Sequence, residues 1–408
     1  MKKLTAILLL LSILCSLAGC ASEAKAENLM KDITPHKMEN PDLHTEKQTK
    51  SRADFAVELL KHCAEKGKNT LISPLSVLFA LSMTANGAKG ETLSQIENVL
   101  GAQAEELNRA LQDCRGDEVL LPANSIWLAG DQGFVPEQSF LQINADYYGA
   151  EIYEAPFEDP GTVGEINRWC REKTKDMIPE IIDQIPEDTV MYLINALAFE
   201  AEWEHPYEEA GQSGKENFTD AAGKTGEVPF LYGEESQYLE DGEAVGFTKS
   251  YAGGRYAFAA ILPEEGTTPE EYLNTLTGEK LTGLLREPQI CTVHTAMPKF
   301  ETEYEKELSD VLKEMGMPLA FTERADFSAM GSNASGDPPC INRVLHKTFI
   351  SVGEKGTRAG AVTAVEMKNE CAVEEENPRY VTLDRPFLYM IFDRETETVI
   401  FMGILNKI

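Results

Sequence analysis

Positive charge is scarce in this chain, and the scarcity excludes whole classes of partner. Lysine and arginine number 37 against 68 aspartates and glutamates, leaving a formal charge of −31. Such a balance repels the phosphate backbone of nucleic acids and the surface of anionic lipid. Catalytic and metal-binding signatures are missing as well. The six histidines, His36, His44, His62, His205, His294 and His346, are scattered, and no His-Glu-x-x-His puts two ligands on one helical face. There is no Gly-x-Ser-x-Gly elbow, no phosphate-cradling Gly-x-x-x-x-Gly-Lys and no Gly-x-Gly-x-x-Gly turn. The eight cysteines contain no Cys-x-x-Cys pair, so neither a zinc site nor a compact disulfide framework is indicated. No cofactor or metal is expected. From Ser51 onward no linker rich in Pro, Gly or Ser, no charge block and no internal repeat divides the chain. An apolar content of 42% supplies a sizeable core, so one large domain is expected over residues 51–408.

A long apolar run occurs at the N-terminus. Lys2 and Lys3 precede the stretch Leu4 to Leu17, which ends in Leu17-Ala18-Gly19-Cys20. A basic start, a short apolar core and small residues before a cut describe a secretory signal, too short for a spanning helix. The Ala-Gly-Cys ending resembles a bacterial lipobox, in which Cys20 is acylated and becomes the new N-terminus. Residues 1–19 are therefore expected to be removed. Residues 20–50, polar and without aromatics, are expected to tether a surface lipoprotein outside the cell. Cys63, Cys114, Cys170, Cys291, Cys340 and Cys371 then remain as unbridged thiols, which suits a reducing habitat.

The stretch Gly356 to Glu370 carries the most information. Side chains along a strand alternate between faces. One face collects Thr357, Ala359, Ala361, Thr363, Val365, Met367 and Asn369, small at first and apolar later. The other collects Arg358, Gly360, Val362, Ala364, Glu366, Lys368 and Glu370. No turn signal pairs this segment into a hairpin, and Glu374, Glu375, Glu376 and Pro378 follow it like an exposed loop. A strand-competent sequence inside a loop is suited to becoming a strand later.

That segment resembles the reactive-loop hinge of serpins, and other blocks strengthen the likeness. Asn69-Thr70-Leu71-Ile72-Ser73-Pro74-Leu75-Ser76, Asn195-Ala196-Leu197-Ala198-Phe199 with Trp203, Met297-Pro298-Lys299-Phe300, and Ala325-Asp326-Phe327-Ser328 follow in family order. Val344-Leu345-His346-Lys347 leads into the hinge, and Leu383 to Tyr389 with Phe401-Met402-Gly403-Ile404 resemble the family's buried C-terminal strands. The resemblance implies an α+β domain. It would hold a large central, mostly antiparallel sheet, smaller sheets, about nine helices and an exposed reactive loop. It also implies a monomeric suicide inhibitor of extracellular serine, or cysteine, proteases. The bait bond is attacked, the freed hinge enters the sheet, and the acyl-enzyme is trapped. The hinge would comprise Glu354, Gly356, Thr357, Ala359, Ala361 and Thr363. Ser73, Ser76, Asn195 and His346 would latch the sheet where it parts, His346 bonding to Asn195, and Trp203 would cap the opening.

Family spacing places the bait residue at the seventeenth hinge position, Glu370, with Cys371 after it. A glutamate-preferring protease is then the target. A shifted bait at Cys371, Ala372 or Val373 would instead suit an elastase-like or subtilisin-like protease. The inner hinge face is small and no proline interrupts residues 354–370, which favours inhibition. A non-inhibitory member acting as a surface binding protein, and an unrelated extracellular enzyme, are the competing readings.

Overall fold

The longest described helix is capped at its start. α1 (Glu46–Cys63) starts on a capping box, in which the Thr45 hydroxyl accepts from the Gln48 N–H and the Gln48 side chain reaches back to Thr45. Its apolar stripe, including Phe55, Leu59 and Leu60, faces the core. The structure, a computed structural model, describes residues 25–36, 45–114, 118–130, 133–187, 189–207, 213–336, 338–357 and 377–408, with the side chains of Asp113, Ala123, Asn195 and Ser213 also outside the description.

α2 (Pro74–Ala85) is a different kind of helix. Ser73 caps it, Pro74 occupies its first turn, and all twelve residues are buried. A helix apolar on every side belongs between layers. Accordingly α2 packs on the two large sheets at once, against β3 (Leu120–Ala129) and β6 (Met191–Phe199) of one and β19 (Thr398–Leu405) of the other. The remaining helices are α3 (Gly90–Leu100), α4 (Ala104–Leu111), α5 (Gln138–Tyr148), α6 (Gly161–Lys173), α7 (Pro269–Thr275), α8 (Gly278–Arg286) and α9 (Ser309–Met315), making nine among the described residues.

The first sheet has eight strands. Its order is β1 (Glu27–Asn28), β5 (Glu151–Ala155), β3, β6, β15 (Arg343–Val352), β16 (Gly356–Thr357) and β7 (Ala201–Glu202), with β13 (Phe300–Glu307) also on β15. Most pairs are antiparallel; β3–β5 and β6–β15 are parallel. The nine-stranded second sheet runs β17 (Arg379–Thr382), β12 (Gln289–Pro298), β9 (Thr225–Glu240), β10 (Ala244–Ser250), β11 (Tyr256–Pro263), β18 (Phe387–Asp393), β19 and β2 (Thr70–Ile72), with β8 (Ser213–Thr219) on β9. A two-stranded ribbon joins β4 (Val135–Pro136) and β14 (Gly331–Ser332). Every residue of β11, β18 and β19 is buried, which is why these strands read as unbroken apolar runs rather than alternating ones. The α+β architecture expected from the sequence is the one found.

On its other face the first sheet is covered by α6, whose Ile166, Trp169 and Cys170 join Trp127, Tyr192, Ile194, Ala196, Ala198 and Leu345 in a second apolar cluster. Part of the stretch expected to be a polar tether also lies on this sheet. Glu27 and Asn28 pair with Glu154 and Tyr153 at its edge, and Leu29, Met30 and Ile33 pack on the core. Main-chain pairing at a sheet edge needs no side-chain pattern, so composition alone carries no sign of it.

Candidate functional site

The two central strands of the first sheet, β6 and β15, run in the same direction. Their register extends from Tyr192 opposite Arg343 to Ala196 opposite Lys347. Above that point they have separate partners: β6 continues against β3 as far as Phe199, and β15 continues against β13 as far as Val352. The seam thus opens upward into a fork. At its mouth sits β16, antiparallel to both neighbours, with Thr357 opposite Val352 on one side and Ala201 on the other.

The mouth is tight. A Cβ built on Gly356 would lie 2.0 Å from the Ala201 carbonyl oxygen, so only glycine fits between the strands here. Thr357 is 1% exposed, and its hydroxyl meets the Tyr251 hydroxyl at 2.5 Å. Trp203 roofs the segment. Its ring N–H donates to the Gly353 carbonyl at 2.9 Å and its backbone N–H to the Lys355 carbonyl at 2.8 Å. The indole stacks on Tyr251 at 4.4 Å and meets Tyr207 and Phe258 edge-on, contacts worth about 0.5–1.5 kcal/mol each beyond burial. Tyr207 in turn donates its N–H to the Glu354 carbonyl. The Lys299 ammonium sits 2.6 Å from the Glu354 carboxylate, and that hydrogen bond holds the carboxyl below its ordinary range.

Beside this roof lies a buried ion pair. Lys249 reaches Glu235 at 2.7 Å and lies over the rings of Tyr207, at 4.3 Å, and Trp203. Burial pushes the Glu235 carboxyl up, while Lys249 opposes the shift. Removing one member would leave an uncompensated buried charge.

Lower in the seam, His346 is 1% exposed and its backbone lies opposite Asn195. Its Nε2 accepts from the Ser73 N–H at 3.1 Å, which fixes the ring proton on Nδ1. Ser73 donates its hydroxyl to the Ile400 carbonyl at 2.8 Å and accepts from the Ser76 N–H. Ser76 donates to Asn124, and Thr348 to the Leu71 carbonyl. Burial pushes the imidazole down to about 3, so it is neutral at physiological pH. These bonds tie β15 to the start of α2 and to β2, across the layer that must give way if the seam opens.

Of the site residues expected from the sequence, Glu354, Gly356, Thr357 and Trp203 are gathered at the mouth, and Ser73, Ser76, His346 and the backbone of Asn195 along the seam. Cys20, Ala359, Ala361, Thr363, Glu370, Cys371, Ala372 and Val373 lie outside the described residues. Tyr251, Tyr207, Asn124 and the Lys249–Glu235 pair do not stand out in the sequence, and Lys299 does so only within its family block. Their partners are distant in the chain, and no local spacing marks them. The thiols of Cys63 and Cys170 are buried and pushed up to about 11 and about 12 by that burial, so they are inert in the closed fold.

The profile of the family described as Serpin (serine protease inhibitor) matches residues 50–408. An uncharacterized serpin-like protein of Thermococcus kodakarensis is 31% identical over 369 residues, covering 86% of this chain and 83% of that protein. The crystal structure of the thermophilic serpin tengpin in its native state is 42% identical and superposes with a TM-score of 0.87, covering 94% of this chain and all 100% of that one. The same protein in its latent state, at 42% identity and with 92% of this chain and 100% of that one covered, gives 0.77. The arrangement described here is therefore nearer the native than the latent form of that relative. A family match across most of the chain, together with the fork and its wedge, makes this protein a member of the serpin family.

Proposed function

We propose that this chain is a suicide-substrate inhibitor of extracellular serine proteases, working by insertion of its cleaved loop into the fork between β6 and β15. Serpins in general inhibit proteases rather than act as enzymes. The observation that carries it is directional. β6 and β15 are parallel, whereas β16, already lodged at the mouth, is antiparallel to its neighbours. A strand continuing from Thr357 down the seam replaces one parallel ladder by two antiparallel ones, the more stable kind per residue. It also supplies partners to both strand edges.

On this reading the protease nucleophile attacks the Glu370 carbonyl, the Glu370–Cys371 bond breaks, and Cys371 departs as the new amine. Glu370 as bait would suit a target with a basic pocket; Cys371, Ala372 or Val373 as bait would suit an elastase-like or subtilisin-like protease. Freed from its far end, the segment after Thr357 enters the seam with its small face inward, ahead of hydrolysis. Opening requires the five-pair ladder from Tyr192 to Ala196 to part and the Ser73–His346 bond to yield. Cys20 would anchor the monomer at the cell surface through lipid, with loss of the membrane fraction in Cys20→Ala as its check. The central test is incubation with a panel of proteases, followed by denaturing gels and the mass of the released C-terminal peptide. A covalent complex that survives denaturation is expected. Loop cleavage by every protease, without any such complex, would overturn the inhibitory reading in favour of a surface binding protein.

A further inference from the structure

Two cations are buried among the described residues, and they are housed in opposite ways. Lys249 has the Glu235 carboxylate at 2.7 Å and the faces of two aromatic rings. Arg52, on the second turn of α1 and 3% exposed, has no carboxylate of its own among the described residues. Its Nη2 donates to the Thr396 carbonyl at 2.8 Å and, weakly, to the Thr49 hydroxyl at 3.5 Å. Its Nε and Nη1, which carry three N–H groups between them, meet no hydrogen-bonding partner among the described residues.

The carboxylates within electrostatic reach, Asp393 and Glu397, are committed elsewhere. One oxygen of Asp393 takes Arg255 Nε and Nη2 at 2.9 and 2.8 Å, and the other accepts from the N–H groups of Glu395 and Thr396. Glu397 forms a two-pronged pair with Arg286. Cys114 supplies no negative charge either, because burial pushes its thiol up and keeps it neutral. Its Sγ lies 3.9 Å from the hydroxyls of both Thr396 and Thr398, beside the turn that Arg52 grips. A guanidinium does not lose its proton inside a protein, and an uncompensated buried charge is strongly destabilising. The interior at this point calls for a negative charge that the neighbouring side chains do not provide.

We infer that Arg52 Nε and Nη1 hold a small monovalent anion of the halide class, chloride in a saline medium, in a buried site between α1 and the turn joining β18 to β19. The unused N–H groups give the ion its donors, and one unit of charge balances the guanidinium. Enclosure sets the size: Thr49, Cys114, Thr396 and Thr398 are each at most 2% exposed, which leaves no room for a bulky ion. The ion would clamp α1 to the entrance of β19, in the scaffold and away from the fork. It therefore acts on stability, and the inference is independent of the inhibitory reading.

The test uses the full chain refolded without chloride, with sodium gluconate, whose anion is too large for the site, holding ionic strength constant. Urea, which brings no chloride, reports the unfolding equilibrium. An anion bound only by the native state shifts that equilibrium by mass action, so replacing gluconate with chloride from 1 to 100 mM is expected to raise the wild-type folding constant about tenfold. Bromide should act like chloride. Arg52→Met, of similar length and without charge, is expected to fold and to unfold at the same urea concentration in gluconate and in chloride. Should that variant fail to fold, wild-type crystals grown in sodium bromide still decide the matter. An anomalous peak within hydrogen-bond reach of Arg52 Nε and Nη1 supports the site, and its absence overturns it. Wild-type stability that is the same in gluconate and chloride, or a halide response equally large in Arg52→Met, would also overturn it. In the first case any bromide peak marks an adventitious ion only.

Discussion

The seam between β6 and β15 and the stack of β11, β18 and β19 are built on opposite rules. The stack is dry: Phe258, Leu388, Tyr389, Phe401 and Ile404 sit side by side with every strand position buried. Nothing there can shift without opening a void, and close-packed interiors resist that strongly. The seam is held by a short five-pair ladder and by single hydrogen bonds from small polar groups, Ser73 to His346, Thr348 to Leu71 and Thr357 to Tyr251. Each such bond is worth only about 1 kcal/mol net, and each can be exchanged for another of the same kind. On the proposed mechanism, the difference separates what stays fixed from what parts. Bulk apolar packing defines the scaffold, while a short ladder and replaceable polar contacts close the seam.

The largest effect that would sharpen this contrast comes from cutting the loop near Glu370 with a non-target protease. About a dozen residues would pass from solvent into the seam, a gain on the order of 10 kcal/mol at about 1 kcal/mol for each new hydrogen bond. The cleaved protein should melt well above the intact one, contrary to the usual effect of a nick. If the two melting curves coincide, the seam is an ordinary ladder and the contrast collapses.

Next comes Thr357→Arg. A guanidinium forced into the mouth beside Tyr251 leaves a buried unpaired charge, at a cost of about 3–5 kcal/mol. The protein should then be cleaved as a substrate with little covalent complex on a denaturing gel. Wild-type complex yield from this variant would mean that the segment does not enter where β16 points.

Leu388→Ala probes the other side of the comparison. Leu388 is fully buried in β18, and its truncation should cost about 3 kcal/mol. Because the stack is the same before and after insertion, intact and cleaved forms should lose equal stability in denaturant titrations. Unequal losses would show that the stack takes part in the movement.

The smallest effect belongs to His346. Unfolded it titrates near 6.5, and in the fold burial lowers it to about 3. The unfolded chain therefore binds a proton that the native state refuses. The stabilisation is complete above pH 6.5 and is lost as pH falls from there toward 3, at about 1.4 kcal/mol per pH unit. Melting temperatures of wild type and His346→Gln, compared from pH 7 to pH 5, should converge on acidification. Parallel curves would remove His346 from the acid response.

The two regions also differ in how much of them the sequence discloses. The stack is legible because strands covered on both faces must be apolar throughout, as Phe387 to Phe392 and Val399 to Leu405 are. α2 is legible for the same reason, with its Ser73-Pro74 start. At the seam, the alternation beginning at Thr357 is visible, but its receiving surface is not. Tyr251 lies 106 residues from Thr357, and β6 lies about 150 residues from the strand it parallels, so no periodic signal couples them. The family likeness of the Asn195 and His346 blocks, not spacing, brought those two positions together. β1 was hidden because a two-residue edge strand bonds through its backbone alone.

Cys170 gives the seam a built-in stopwatch. It stands on α6 with no exposed surface, pressed on the sheet face that an entering strand must pass beneath, and its thiol is unreactive while covered. If the cleaved segment enters the sheet as proposed, it would pass beneath α6, and a raised helix would bring the sulfur into water. A thiol-alkylating reagent present during protease attack would then record on Cys170 how long the lid stood open.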